Sequence, residues 1–189
     1  MTSWKRPDSV PHPKVWRRAV GRKPVDGKVP SFVIQDVPED REEELVQFMV
    51  ENFVRNEPLS RCLNSSNDPF KGETASKIMK LLDYLDSLAD PFEKYGVEEY
   101  IAAMGLSVAK EFQGQGLGKE LLKARFDVGR AVGVKLTVTA FTAIESQVLA
   151  TREGFEELAR IDYKDYKVDG KEVFPGITSK CAILMAKRI

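Results

Sequence analysis

Glycines at positions 114, 116 and 118 crowd one short turn, Glu111-Phe112-Gln113-Gly114-Gln115-Gly116-Leu117-Gly118-Lys119, and no other stretch restricts the fold as strongly. Ahead of it, the apolar run Ile101 to Val108 reads as a buried strand. Behind it, Leu121, Leu122, Phe126 and Val132 fall on one face of a helix. A strand, a glycine turn and a helix in that order expose the first N–H groups of the helix, and glycine lets an anion approach them without a Cβ in the way. A pyrophosphate suits such a turn. A Rossmann fingerprint places its last glycine where Lys119 stands, and a Walker loop needs a hydroxyl where Glu120 stands, so neither nucleotide motif is satisfied. Gln113, Gly116 and Gly118 match the pattern Gln/Arg-x-x-Gly-x-Gly/Ala. The bland alternative is a glycine-rich connector before a helix.

The 189 residues suffice for one domain with a sizeable core and an extension. Lys plus Arg and Asp plus Glu number 29 each, so no overall field favours nucleic acid or an anionic membrane, and a small ligand is expected. Cys62 and Cys181 lie far apart, and His12 is the single histidine. That spacing suits neither a metal site nor a disulfide framework. With a polar, basic start, no signal-like apolar core and no run of membrane-spanning length, the expected setting is reducing and cytoplasmic.

Pro7, Pro11 and Pro13 mark a flexible arm. Val15 to Val20 and Ser31 to Val37 are strand-like and flank Asp26-Gly27, a hairpin signal. Pro38 precedes an acidic helix start, Glu39 to Glu44, followed by an apolar face of Leu45, Phe48, Met49 and Phe53. Pro58 breaks that helix, a short second one runs through Cys62-Leu63, and Asn64 to Gly72 reads as a loop. Glu73 to Leu88 is helical, with Ile78, Leu81, Leu82, Leu85 and Leu88 at three- and four-residue intervals. After the glycine loop and its helix come a strand over Lys135 to Phe141 and a short helix over Ser146 to Arg152 that ends at Gly154. Strands over Phe155 to Tyr163 and Thr178 to Ala186 follow, joined by an excursion through Val168-Asp169-Gly170-Lys171.

The glycine pattern resembles the acyl-CoA pyrophosphate loop of the GCN5-related N-acetyltransferases, the GNAT superfamily. The order of elements around it, closing on Gly154-Phe155 and two strands, follows the C-terminal half of that fold. More narrowly, Phe53-Val54-Arg55-Asn56-Glu57-Pro58-Leu59, Phe92-Glu93-Lys94-Tyr95, Leu106-Ser107-Val108 and Asp162 to Phe174 resemble arylalkylamine N-acetyltransferase-like proteins of insects and other invertebrates. The resemblance implies an α/β (mixed α+β) GNAT acyl-CoA N-acyltransferase fold, with a mixed central sheet flanked by helices. It assigns residues 30–189 to the transferase domain and residues 1–29 to an N-terminal arm with a possible extra strand.

The activity it implies is transfer of the acetyl group of acetyl-CoA to a small primary amine such as dopamine, serotonin, octopamine or tyramine. The expected enzyme is a metal-free monomer that works by direct attack in a ternary complex. Glu57 takes the place of the family's general base, with Asn56 where aspartate is common. A solvated helix cap is the competing reading of Glu57. Ser146 and Thr142 stand at two positions of functional serines, and Ser146 also reads as a helix N-cap. Leu106, Ser107 and Val108 are expected along the pantetheine, and Gln113, Gly114, Gln115, Gly116, Leu117, Gly118 and Lys119 around the pyrophosphate. The Tyr163 to Phe174 segment is expected to offer aromatic faces to the amine, or else to be a surface hairpin.

One departure stands out. The family's second and third strands, expected between Glu57-Pro58-Leu59 and the helix that begins near Glu73, are absent from the sequence. Loss of that pair leaves two sheet edges without neighbours and puts the amine half in question. The alternatives to an active enzyme are a non-catalytic acyl-CoA-binding relative and a shortened isoform with impaired activity.

Overall fold

A computed structural model describes residues 4–63 and 72–189; the Asn64 to Gly72 loop expected from the sequence lies, but for Gly72, outside the described residues. The first two strands, β1 (Val15–Val20) and β2 (Ser31–Gln35), pair antiparallel from Val20↔Ser31 to Val15↔Gln35. Asp26 and Gly27 turn the chain with φ of 49° and 78°, between bridged Val25 and Lys28. Positive φ at both central residues is what a right-twisted hairpin asks of its turn, which is why Asp-Gly is found there.

Six more strands follow: β3 (Ile101–Ala102), β4 (Leu136–Phe141), β5 (Glu156–Asp162), β6 (Lys167–Val168), β7 (Lys171–Glu172) and β8 (Cys181–Arg188). The main sheet has the order β3-β4-β8-β5, and β6-β7 form a separate small hairpin. β3 runs parallel to β4, and β8 runs antiparallel to both β4 and β5, so the central sheet is mixed. Among the described residues no strand lies between Gln35 and Ile101, in keeping with the missing pair.

The helices are α1 (Glu42–Met49), α2 (Pro58–Cys62), α3 (Gly72–Ser87), α4 (Pro91–Tyr95), α5 (Leu117–Val132) and α6 (Ile144–Arg152). They cover the sheet on both faces. Alternation along β8 shows how: Ala182, Leu184 and Ala186 join a cluster with Leu81 and Leu85 of α3, while Cys181, Ile183 and Met185 join Leu122 and Phe126 of α5. Successive side chains of a strand point to opposite faces, so a strand covered on both sides is apolar throughout. Leu81 and Leu85 are fully buried, each stabilising by roughly 1.5–3 kcal/mol. Leu88, assigned by spacing to the same face, is 46% exposed because α3 stops at Ser87 and the chain turns before completing the stripe.

The hairpin β1–β2 lies against α5, where Arg17 bonds Glu120 at 3.0 Å and Asp127 at 2.7 Å. Phe32 meets Phe112 edge-on at 5.6 Å. The expected strand over Ile101 to Val108 is corrected in length and burial: two residues pair, and none of the eight is buried. Among the described residues β4 is its one strand neighbour, and the run leaves the sheet after Ala102.

Candidate active site

The glycine turn opens α5 as its spacing predicts. Gly114 and Gly116 have φ of 78° and 86°, and Gly116 caps the sixteen-residue helix. Side-chain-bearing residues rarely adopt that left-handed conformation, so the turn depends on glycine. The first-turn N–H groups of α5 have no intrahelical acceptor, and they carry the positive end of the helix dipole. Gly116, Leu117, Gly118 and Lys119 border a cavity of about 460 Å³ that is closed on another side by Leu149 and Arg152 of α6. These features fit a diphosphate. Lys119 does not stand free, since its ammonium lies 3.2 Å from Glu153, whose carboxylate also borders the cavity and is 3.9 Å from Lys123.

Gln113 and Val108 line the same cavity, and the Gln113 amide donates to the Val108 carbonyl at 3.2 Å. That bond shapes the approach from the irregular segment after β3 and occupies one of the carbonyls expected along the pantetheine. Leu106 reaches the position beside Gly118, where a Cβ would lie 3.8 Å from its methyl, and Ser107 is half-buried. Gln115 turns away from the cavity altogether and bonds the backbone of Arg22 and Lys23.

Across the molecule, α1 continues into a π-helical turn, Val50–Val54. Met49 and Phe53 pack so close to Gly105 that a Cβ there would meet them at 3.0 and 3.1 Å. This brings the end of α1 onto the segment that follows β3. Glu57 then caps α2, its Oε2 accepting from the Ser60 amide at 2.8 Å. Glu57 is only 9% exposed, and among the described residues its Oε1 has no hydrogen-bond partner. A buried carboxylate oxygen without a donor is costly, so its retention points to a use. The solvated-cap reading fails on burial, although the cap itself exists.

Burial first, and then the neighbouring Glu57 carboxylate, push the Tyr163 phenol far above its ordinary value. Tyr163 stays neutral and donates to the Thr142 carbonyl at 3.1 Å. Thr142 follows the last residue of β4, so Tyr163 ties the Glu57 region to the C-terminal end of that strand. Ser146 lies in the first turn of α6 and donates to the Ala143 carbonyl at 2.8 Å. The N-cap expected of Ser146 is corrected, because Ala143 occupies that position with no side-chain bond. Gln147, which the sequence did not single out, donates to the carbonyls of Phe141 and Cys181 at 3.0 and 2.8 Å and anchors α6 on the ends of β4 and β8.

Tyr163 therefore feels Glu57 and bonds the Thr142 carbonyl, whereas neither Glu57, Thr142 nor Ser146 lines the cavity at the glycine turn. α6 spans the two regions, with Ser146 at its start and Leu149 and Arg152 further along, at the cavity. The aromatic segment divides: Tyr163 and Phe174 are 1% and 2% exposed and meet edge-on at 5.8 Å inside the core, Tyr166 lines a second cavity with Tyr84, and Lys167 to Glu172 form the exposed hairpin.

The acetyltransferase (GNAT) family model matches residues 84–155, which hold β3, the glycine loop, α5, β4 and α6. Residues 84–155 therefore match a GNAT acetyltransferase domain. The chain superposes on the crystal structure of the protein designated arylalkylamine N-acetyltransferase 7 of the yellow fever mosquito Aedes aegypti, with a TM-score of 0.87 and 28% identity over 98% of this chain and 99% of that one. Arylalkylamine N-acetyltransferase 2 of Aedes aegypti shares the fold at a TM-score of 0.76 and 18% identity, covering 81% of this chain and 96% of its own. The Drosophila melanogaster polyamine N-acetyltransferase shares it at 0.69 and 18%, covering 82% and 98%. GNAT enzymes use acetyl-CoA as co-substrate. Among the described residues no cluster of three His, Cys, Asp or Glu side chains suits a metal ion, and no helix is long and apolar enough to cross a membrane.

Proposed function

We propose that this chain transfers the acetyl group of acetyl-CoA to a small primary amine of the arylalkylamine type by direct attack in a ternary complex. The observation that carries the reading is Glu57, a buried carboxylate with one oxygen engaged in a helix cap and the other unengaged. An amine reaches an enzyme mostly protonated at neutral pH and must lose a proton before its lone pair can attack. Glu57 Oε1 takes that proton, while the bond from Oε2 to the Ser60 amide fixes the orientation of the carboxylate.

Acetyl-CoA supplies an activated acyl group. Residues 113–119 hold its diphosphate and residues 106–108 flank the pantetheine. Ser146 is the candidate to return a proton to the departing thiolate, with the Thr142 hydroxyl at the second functional position. Holding both reactants together removes much of the entropic barrier of a bimolecular step.

Direct transfer is favoured by the state of the cysteines. Burial, and after it Glu57, push the Cys62 thiol up, which suppresses the thiolate an acyl-carrying cysteine needs. Cys181 is buried, and both cysteines are unpaired, as suits a reducing cytoplasmic setting. Residues 30–189 form the proposed transferase domain, acting as a monomer, with residues 1–29 as its N-terminal arm.

Glu57→Gln keeps the shape and removes the base. Turnover should fall about a thousandfold and lose its acidic pH limb, with CoA affinity unchanged in calorimetry. An unaltered pH–rate profile would take Glu57 out of the mechanism. A second reading, acyl-CoA binding without catalysis, is favoured by one observation: β3 has no outer strand among the described residues. Tight CoA binding with no product across a panel of aryl, polyamine and aliphatic amines selects that reading.

A further inference from the structure

Between β1 and the Asp26-Gly27 reversal, the N-terminal arm crosses the glycine loop. At the crossing point only glycine fits, since a Cβ on Gly21 would lie 2.7 Å from Gln115 Oε1 and 2.9 Å from the Pro30 ring. Gln115 is 5% exposed and spends its whole amide on this crossing. Its Oε1 accepts from the Arg22 and Lys23 amides at 2.7 and 2.9 Å, and its Nε2 donates to the Lys23 carbonyl at 3.0 Å. A buried amide satisfied on both ends fixes its partners in place, because releasing either leaves a polar group unpaired.

The crossing sets two cations on the loop. The Arg22 guanidinium lies against Gly116, where a Cβ would be 2.7 Å from its Nε, and it lines the cavity. The Lys23 ammonium would be 3.3 Å from a Cβ on Gly114. Two other cations nearby already have carboxylates, Arg17 with Glu120 and Asp127 and Lys119 with Glu153, while Arg152 on the α6 wall of the cavity has no ion-pair partner among the described residues. Arg22 and Lys23 have no ion-pair partner among the described residues. An exposed guanidinium at the mouth of an anion-suited turn, its backbone held by Gln115 and its fork of donors uncommitted, matches the geometry of a phosphate.

We propose that Arg22 is a further binding residue for the diphosphate of the acyl carrier, held over Gly116 by Gln115 as a positioning residue. The inference rests on the acyl-CoA reading above. It makes the arm a working part of the site rather than an appendage.

Calorimetric titration of the full-length protein with CoA and with dephospho-CoA, which keeps the diphosphate and lacks the 3′-phosphate, tests it. Arg22→Gln should weaken both ligands about tenfold, with Arg22→Lys in between. Gln115→Ala should weaken both similarly in the native background and cost almost nothing further when Arg22 is already Gln, a non-additivity that a general loss of stability does not produce. Thermal unfolding of each variant checks that it is folded. Wild-type or tighter affinity in folded Arg22→Gln overturns the inference, the tighter case marking Arg22 as a plug. A loss confined to CoA, with dephospho-CoA unaffected, overturns the diphosphate assignment. If the folded native protein binds neither ligand, it is the acyl-CoA reading beneath that fails.

Discussion

The two halves of the site are built differently. The side proposed for the diphosphate centres on one short piece of chain, the glycine turn and the start of α5, with α6 as a wall of its cavity. The side proposed for the amine gathers Glu57 from a cap at the start of a five-residue helix, Tyr163 from just after β5 and Thr142 from just after β4. Backbone recognition of phosphate depends on local conformation and tolerates changes around it. Side-chain recognition of an amine depends on distant elements arriving together. The lack of strands between Gln35 and Ile101 among the described residues therefore bears on the proposed amine side and leaves the glycine turn intact.

Substitutions that separate the halves sharpen this contrast. Leu85→Ala empties a fully buried position beneath Leu59, Tyr163 and Phe174, and it should cost about 3 kcal/mol in denaturant unfolding. Its turnover should drop while CoA affinity holds, and an equal loss of both would break the division. Gly116→Val should do the reverse. It forces a side chain into a left-handed position and against Arg22, so CoA affinity should fall about a hundredfold, with turnover at saturating acetyl-CoA largely kept.

The smallest effect belongs to the arm. Burial works to raise the Asp36 carboxyl, but the Arg6 and Trp16 bonds at 2.7 Å, with the Lys14 amide at 2.9 Å, outweigh it and hold the group below its ordinary value. A lowered folded value means that the stabilisation is present above the unfolded pKa of about 4 and is lost as pH falls through the folded one. Asp36→Asn should thus cost about 1 kcal/mol at pH 7, and the gap should close in melts near pH 2. A gap that persists in acid would show packing, not charge, at work.

Local chemistry was legible in the sequence. The Asp26-Gly27 reversal, the helix-opening glycines and the break at Pro58 appear where residue types demand them, because each depends on a backbone conformation that few residues allow. What depended on distant neighbours was not. Ile101 to Val108 has strand composition, yet only two residues pair, since pairing needs a second chain alongside. Tyr163 and Phe174 have the look of a ligand-facing aromatic pair and serve instead as core, a placement decided by α3 and β8. Gln115 sits inside the most readable motif of the chain, and its side chain answers to residues more than ninety positions earlier.

The brevity of β3 has a further consequence. A sheet margin with a free row of amides and carbonyls is a template for a stray polypeptide, and longer margins recruit one more readily. Two residues offer too short a ladder to grip, and Gly105 with the overlying Met49 and Phe53 takes the chain out of the plane directly afterwards. An edge that would otherwise invite fibrous self-association is thereby kept short.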